Sequence, residues 1–148
     1  MTSKRTSNGY SRSSKHRGFL LDRNLNPRLA WAVGQHSHLP CHTLAAIFGP
    51  DGAQKAQDVE IIEYAAAHGL TLLTGDHNLL FVKHEREAIL RTGCRVFCIS
   101  DPQLTRDAKA LIIGRHMPQI MLHSTEDGPR FWRLYLRDNV KRDIQPPC

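Results

Sequence analysis

Asp58-Val-Glu-Ile-Ile-Glu-Tyr-Ala-Ala-Ala-His-Gly-Leu-Thr-Leu-Leu-Thr-Gly-Asp76 is the stretch whose reading decides the fold. Val59, Ile62 and Ala66, with Ile61 and Ala65 beside them, recur at helical spacing, and Gly69 supplies the stop. Leu70 to Thr74 is too short for a helix and reads as a strand buried on both faces. One acid opens the helix and the next closes the strand, a unit that belongs to a parallel α/β crossover.

The same pattern extends in both directions. Upstream, Phe19-Leu20-Leu21 is a second short apolar run, with order expected from Gly18, and it too ends on an acid, Asp22. Asn24 or Asn26 can cap the next helix, Pro27 suits its first turn, and Leu29, Ala30, Trp31 and Val33 give it an apolar face as far as about Gln35. Cys41 to Leu44 fits a short strand, and Gly49-Pro50-Asp51-Gly52 reads as a turn. Downstream, a helix is expected from Asn78 to Thr92, stopped by Gly93, then a strand from Cys94 to Ile99. Thr105 starts a helix toward Met121 that Pro118 can bend. The stretch from Arg130 to Ile144 fits either a hairpin turning at Asp138-Asn139 or a basic helix. The alternation predicts an α/β domain, with a mostly parallel sheet covered by helices on both faces.

A chain of 148 residues can bury a core without disulfide staples. One domain is expected over residues 18–148, with a C-terminal extension from about 101, preceded by a disordered basic tail over 1–17. The tail carries Lys4, Arg5, Arg12, Lys15 and Arg17 and has no apolar periodicity with which to offset the entropy of ordering. A net charge of +6 favours an anionic partner, of which nucleic acid is the commonest for a small basic protein. Cys41, Cys94, Cys98 and Cys148 show no disulfide or zinc-ribbon spacing, so a reducing, cytoplasmic setting is expected. No apolar run reaches the roughly 20 residues that span a bilayer, so no membrane partner is expected.

In such sheets ligands gather beyond the carboxyl ends of the strands, where Asp22 and Asp76 point. Taken singly, each aspartate is explained by helix capping, a contribution of about 1 kcal/mol. Taken together they repel, by about 4 kcal/mol for a pair at about 4 Å in an effective dielectric of about 20. A hard divalent cation offsets that repulsion, and carboxylate-held Mg²⁺ or Mn²⁺ is the usual apparatus for ionising a water for attack on a phosphodiester.

These residues carry a resemblance. Phe19-Leu20-Leu21-Asp22, then Asp58 with Ile61 and Ala65 on a helix, then Leu72-Leu73-Thr74-Gly75-Asp76, is similar to the PIN and PIN-like nuclease domains, over about residues 18–100. Leu20-Leu21-Asp22-Arg23-Asn24-Leu25 and Thr74-Gly75-Asp76-His77-Asn78-Leu79-Leu80 most resemble the Mut7-C-like branch. The resemblance implies a three-layer α/β/α sandwich and a Mg²⁺- or Mn²⁺-dependent endoribonuclease acting on RNA, often single-stranded. It implies metal binding and catalysis by Asp22, Asp58 and Asp76, support from Thr74, and Asn24 as a neutral ligand. It also implies a toxin neutralised by an antitoxin protein, and a homodimer, as family habits. Many relatives place a further acid between the matches of Asp22 and Asp58. Here that span offers Asp51, in a context where turn chemistry alone explains an aspartate. A catalytically weak RNA-binding or protein-interaction module is therefore the alternative. A phosphoacceptor receiver is disfavoured because Asp22 is followed by Arg23-Asn24 rather than an acid, and a haloacid-dehalogenase phosphatase because Asp-x-Asp is absent there.

Other candidates have plainer readings. His77 could reach a phosphate, and Lys83, Arg86 and Arg91 could track RNA, though a solvated helix face explains them. His36, His38, Cys41 and His42 match no regular zinc spacing, and Cys94 and Cys98 share one strand face as small apolar residues. Trp132 and Tyr135, among Arg130, Arg133 and Arg137, suit packing of a terminal hairpin better than base stacking.

Overall fold

A computed structural model describes residues 16–76, 79, 81–99, 104–134 and, for the backbone, 140–144. β1 (Gly18–Leu21) is followed by α1 (Leu29–Ser37), β2 (Cys41–Thr43), α2 (Leu44–Lys55), α3 (Asp58–Ala67) and β3 (Leu70–Thr74). Then come α4 (Lys83–Thr92), β4 (Arg95–Cys98), α5 (Arg106–Ser124), β5 (Arg130–Leu134) and β6 (Val140–Ile144). The strands form one sheet in the order β2-β1-β3-β4-β5-β6, parallel from β2 through β5, with β6 antiparallel at the edge. This is the mostly parallel α/β sandwich that the alternation of elements predicts.

Its core is split by the strand period of two. Leu20, Leu72, Val96 and Cys98 point to one face, packing with Leu44 of α2, Ile61 and Ile62 of α3, and Ile89 of α4. Phe19, Leu21, Leu73 and Phe97 point to the other, onto Leu29 and Val33 of α1 and Ile112, Ile113 and Ile120 of α5. Burying each such side chain contributes about 1.5–3 kcal/mol, which holds β1 and β3 in register. Both strands are buried along their whole length, so their ends have nowhere to slip.

Three local expectations need correction. Gly49-Pro50-Asp51-Gly52 is not a free turn but a kink inside α2, whose first segment is capped by Thr43 Oγ1, which accepts from the Ala46 N–H at 3.2 Å. Gly49 makes the kink at φ 79° and ψ 163°, a region closed to other residues, and Pro50 starts the second segment, where its missing N–H is no loss. The helix expected from Asn78 begins instead at Lys83, because Leu79 is drawn into the core and Val82 is extended. The basic-helix option for the C-terminal stretch is excluded, since β5 and β6 pair as antiparallel strands. The turn expected at Asp138-Asn139 lies outside the described residues, as do Tyr135, Arg137 and residues 1–15 of the expected tail. His16 and Arg17 are against the domain: the Arg17 N–H donates to Gly69 O at 2.8 Å, and the His16 ring meets Phe19 edge-on. Among the described residues no helix is long and apolar enough to cross a membrane.

A Cβ at Gly49 would meet nothing within 4 Å, so the whole penalty of Gly49→Ala is backbone strain. The substitution should lower stability by about 1–3 kcal/mol in urea unfolding, with an unchanged m value.

Candidate active site

Strand order reverses direction between β1 and β3, since β2 lies beyond β1 and β4 beyond β3. Crevices that bind ligands open outside the carboxyl ends of strands at such a point. Asp22 follows β1 directly, Thr74 ends β3 and Asp76 stands two residues later. The backbone ladder continues into the site, because the Asp22 N–H donates to Leu73 O at 2.8 Å and the Ile99 N–H to Thr74 O at 2.9 Å.

Thr74 is the hub. Its buried hydroxyl donates to Asp22 Oδ2 at 2.8 Å and accepts from the Asp76 N–H at 3.1 Å. Asn24 Oδ1 lies 3.3 Å from the same hydroxyl and accepts from the Gly75 N–H at 2.7 Å, lacing the loop after β1 to the loop after β3. Asp22 Oδ1 accepts from the Arg23 N–H at 2.8 Å. The Asp22 carboxyl is only 4% exposed, and burial pushes its pKa up. The Thr74 and Arg23 hydrogen bonds oppose that rise and the charge of Asp58 adds to it.

Helix capping does not account for Asp58. The cap of α3 is Gln57, whose side chain accepts from the Glu60 backbone while Glu60 Oε1 accepts from the Gln57 N–H at 2.9 Å. Asp58 is the first residue inside the helix, and its charge reaches Asp22. Nearby, the Arg23 guanidinium donates to Gln54 O at 3.2 Å and to Ala56 O, fastening the loop after β1 to the segment ahead of α3.

A further acid belongs with these and was missed in the sequence. Glu85 lies in the first turn of α4, where the helix dipole ordinarily stabilises a carboxylate. Its pKa is nevertheless raised, first by burial, then by Asp58 and Asp76, with a smaller push from Asp22 and an opposing pull from His84. Asp51, the sequence's candidate for a further acid, is exposed and is not among the charges acting on Asp22 or Glu85. The signal for Glu85 was the helix start: from Asn78 it falls mid-helix, from Lys83 it sits in the first turn, within reach of the charges of Asp58 and Asp76.

The chemistry of the donors suits a hard, oxygen-preferring cation. As they stand, no three His, Cys, Asp or Glu among the described residues are close enough together to enclose an ion.

The remaining candidates fall elsewhere. His77 is outside the described residues. Lys83 and Arg86 are exposed on α4, and Arg91 is paired with Glu63 at 2.9 Å, an exposed bridge of small energetic weight. His36 sits against Gly114, His38 ends α1 at φ 60°, and Cys41 lies on β2 with its thiol pushed up to about 12 by burial. Cys94 and Cys98 are buried in the core. Trp132 stacks on His123 at 3.8 Å, so it packs α5 to β5. Arg130 Nε lies 3.8 Å from Glu126 Oε1.

A family model described as a PIN-like domain matches residues 18–101, a span that contains Asp22, Asp58, Asp76 and Glu85. No curated protein and no solved structure matches the chain.

Thr74→Val removes a buried hydroxyl and should lower stability by about 1–3 kcal/mol. It should also raise the Asp22 pKa further, because a hydrogen bond that lowers it is lost; carboxyl NMR titration reads this directly. The pH dependence has a definite sign. Asp22 and Glu85 hold protons in the folded chain at pH values where the unfolded chain has released them. Their contribution to stability is therefore complete below the unfolded values and lost as pH rises through the raised folded ones. In chelator, unfolding free energy should rise as pH is lowered from neutral into that window, and Glu85→Gln should flatten the slope.

Proposed function

The chain belongs to the PIN-like domain family, and from that premise we propose that it is a metal-dependent nuclease hydrolysing phosphodiester bonds of single-stranded RNA. The observation that carries this reading is the gathering of acids at the β1/β3 strand ends, where the charge of Asp58 acts on the buried, Thr74-held Asp22 and the charges of Asp58, Asp76 and Asp22 act on Glu85. Acids gathered at one sheet edge, two of which, Asp22 and Glu85, have their pKa raised by burial and by the charge of the others, are a site in search of positive charge.

Asp22 is the fixed point of the proposed site: Thr74 holds one carboxylate oxygen and the Arg23 N–H the other, so its orientation is set before any ligand arrives. Asp58, Asp76 and Glu85 supply the remaining oxygen ligands, either directly or through water. A Mg²⁺ or Mn²⁺ ion held there lowers the pKa of water and balances charge gathering on the phosphate. Glu85, in the first turn of α4 and acted on by Asp58 and Asp76, completes the acid set. Exposed Lys83 and Arg86, on the same helix as Glu85, attract the RNA backbone.

Purified chain incubated with single-stranded RNA should cleave it with Mn²⁺ and not with chelator. Asp22→Asn, Asp76→Asn and Glu85→Gln should each slow cleavage by about a hundredfold or more. Equal cleavage by all four proteins, or none by any of them with metal, overturns the nuclease reading. RNA retained without being cut would support the catalytically weak binding module, which the open spacing of the acids favours.

A further inference from the structure

Beside the acids lies a second feature that they do not explain. A cavity of about 410 Å³ opens next to Asp22, floored by Leu21, Leu25 and Leu44 and flanked by the two segments of the kinked α2. Ala45 of the first segment and Gln54 of the second, both exposed residues, stand on its wall, and Arg23 lines it as well. We propose that this cavity is a nucleobase subsite, which takes one unstacked base of the RNA strand next to the phosphate held at the acids. The inference rests on the nuclease reading for its substrate and deepens it.

Five observations favour a base as the occupant. Asp22 belongs both to the cavity lining and to the acid group, so a ligand in the cavity is covalently within reach of a phosphate at the strand ends. The volume lies at the low end of the roughly 300–1,000 Å³ typical of small-molecule sites, which suits a single nucleotide unit. An apolar floor with a few polar groups on the walls matches the apolar face and polar edge of a base, and unstacked bases in single-stranded RNA are bound in this way. Gln54 offers both a donor and an acceptor to that edge. The charge is also suitably placed: Arg23, held by Gln54 O and Ala56 O, carries its positive charge at the wall rather than in the floor. The kink at Gly49 is what turns the two segments of α2 into two walls. An apolar side chain of a partner protein is the competing occupant, and it would have no use for the sugar-phosphate.

The test separates this inference from the reading it rests on. In the metal-free protein, nucleoside 5′-monophosphates should shift the backbone amides of Ala45, Ala53 and Gln54 in NMR spectra, and ribose 5-phosphate should not. Ala45→Trp, which fills the cavity from an exposed position, should abolish those shifts, and Gln54→Ala should weaken binding of the preferred base by about tenfold. With Mn²⁺ and RNA, Ala45→Trp should raise KM with a smaller change in kcat. Nucleotide shifts persisting in a chain that never cuts RNA would refute the nuclease and spare the subsite. Metal-dependent cleavage with unchanged KM in both variants would refute the subsite and spare the nuclease. Equal shifts from ribose 5-phosphate, or none from any nucleotide, would also overturn the subsite.

Discussion

The hydrogen bond from Thr74 Oγ1 to Asp22 Oδ2, at 2.8 Å between two buried groups, joins the fold to its chemistry. Without that donor, a carboxylate sealed at the end of β1 has the Arg23 N–H and the Arg23 charge to oppose its desolvation, and loses the largest opposing contribution. The bond exists because β1 and β3 run parallel in register, Leu21 beside Leu73, so that the next residue of each strand comes to the same edge. Register in turn is enforced by leucines buried on both faces of the sheet. Hydrophobic packing thus sets the position of a polar contact that packing alone would disfavour.

That arrangement has an energetic direction. Asp22 and Glu85 each raise their pKa through burial and through other acids, which means that the ionised site works against the folded chain. Natural domains tolerate such strain where function requires it and compensate elsewhere. Here the compensation is visible in the two hydrophobic layers and in the lacing by Asn24 and Arg23, which fix the loops that carry the acids. A cation would relieve the strain and tighten the same loops, so ligand binding and stability are expected to rise together.

Much of this was legible from residue patterns, and the failures have physical causes. Leucine-rich runs ending on acids gave β1 and β3, and helical spacing stopped by Gly69 gave α3 within about two residues at each end. Gly93 reads the same way, ending α4 at φ 75°. Pattern failed where a local signal served a different end. Gly49-Pro50 carries turn chemistry but makes a kink, because helical residues flank it on both sides. Leu79 and Leu80 extend the apparent helix upstream, yet Leu79 belongs to the core and the helix begins four residues later, at Lys83. That single displaced boundary hid Glu85, since where a helix starts decides which of its residues stand in its first turn. The cavity beside Asp22 was out of reach as well, because its walls come from segments whose approach is set by one glycine.

The edges of the sheet narrow how anything else can join it. On one side it ends in β2, three residues long, and on the other in β6, whose sequence Val-Lys-Arg-Asp-Ile places three charges in five positions. Short strands and charged strands are the two standard defences against a stranger's backbone. Among the described residues, growth of the sheet by strand addition is therefore disfavoured at the β2 border, where three residues offer little to pair with. The strand-end crevice differs from such an edge, since there side-chain chemistry rather than backbone pairing decides what is admitted.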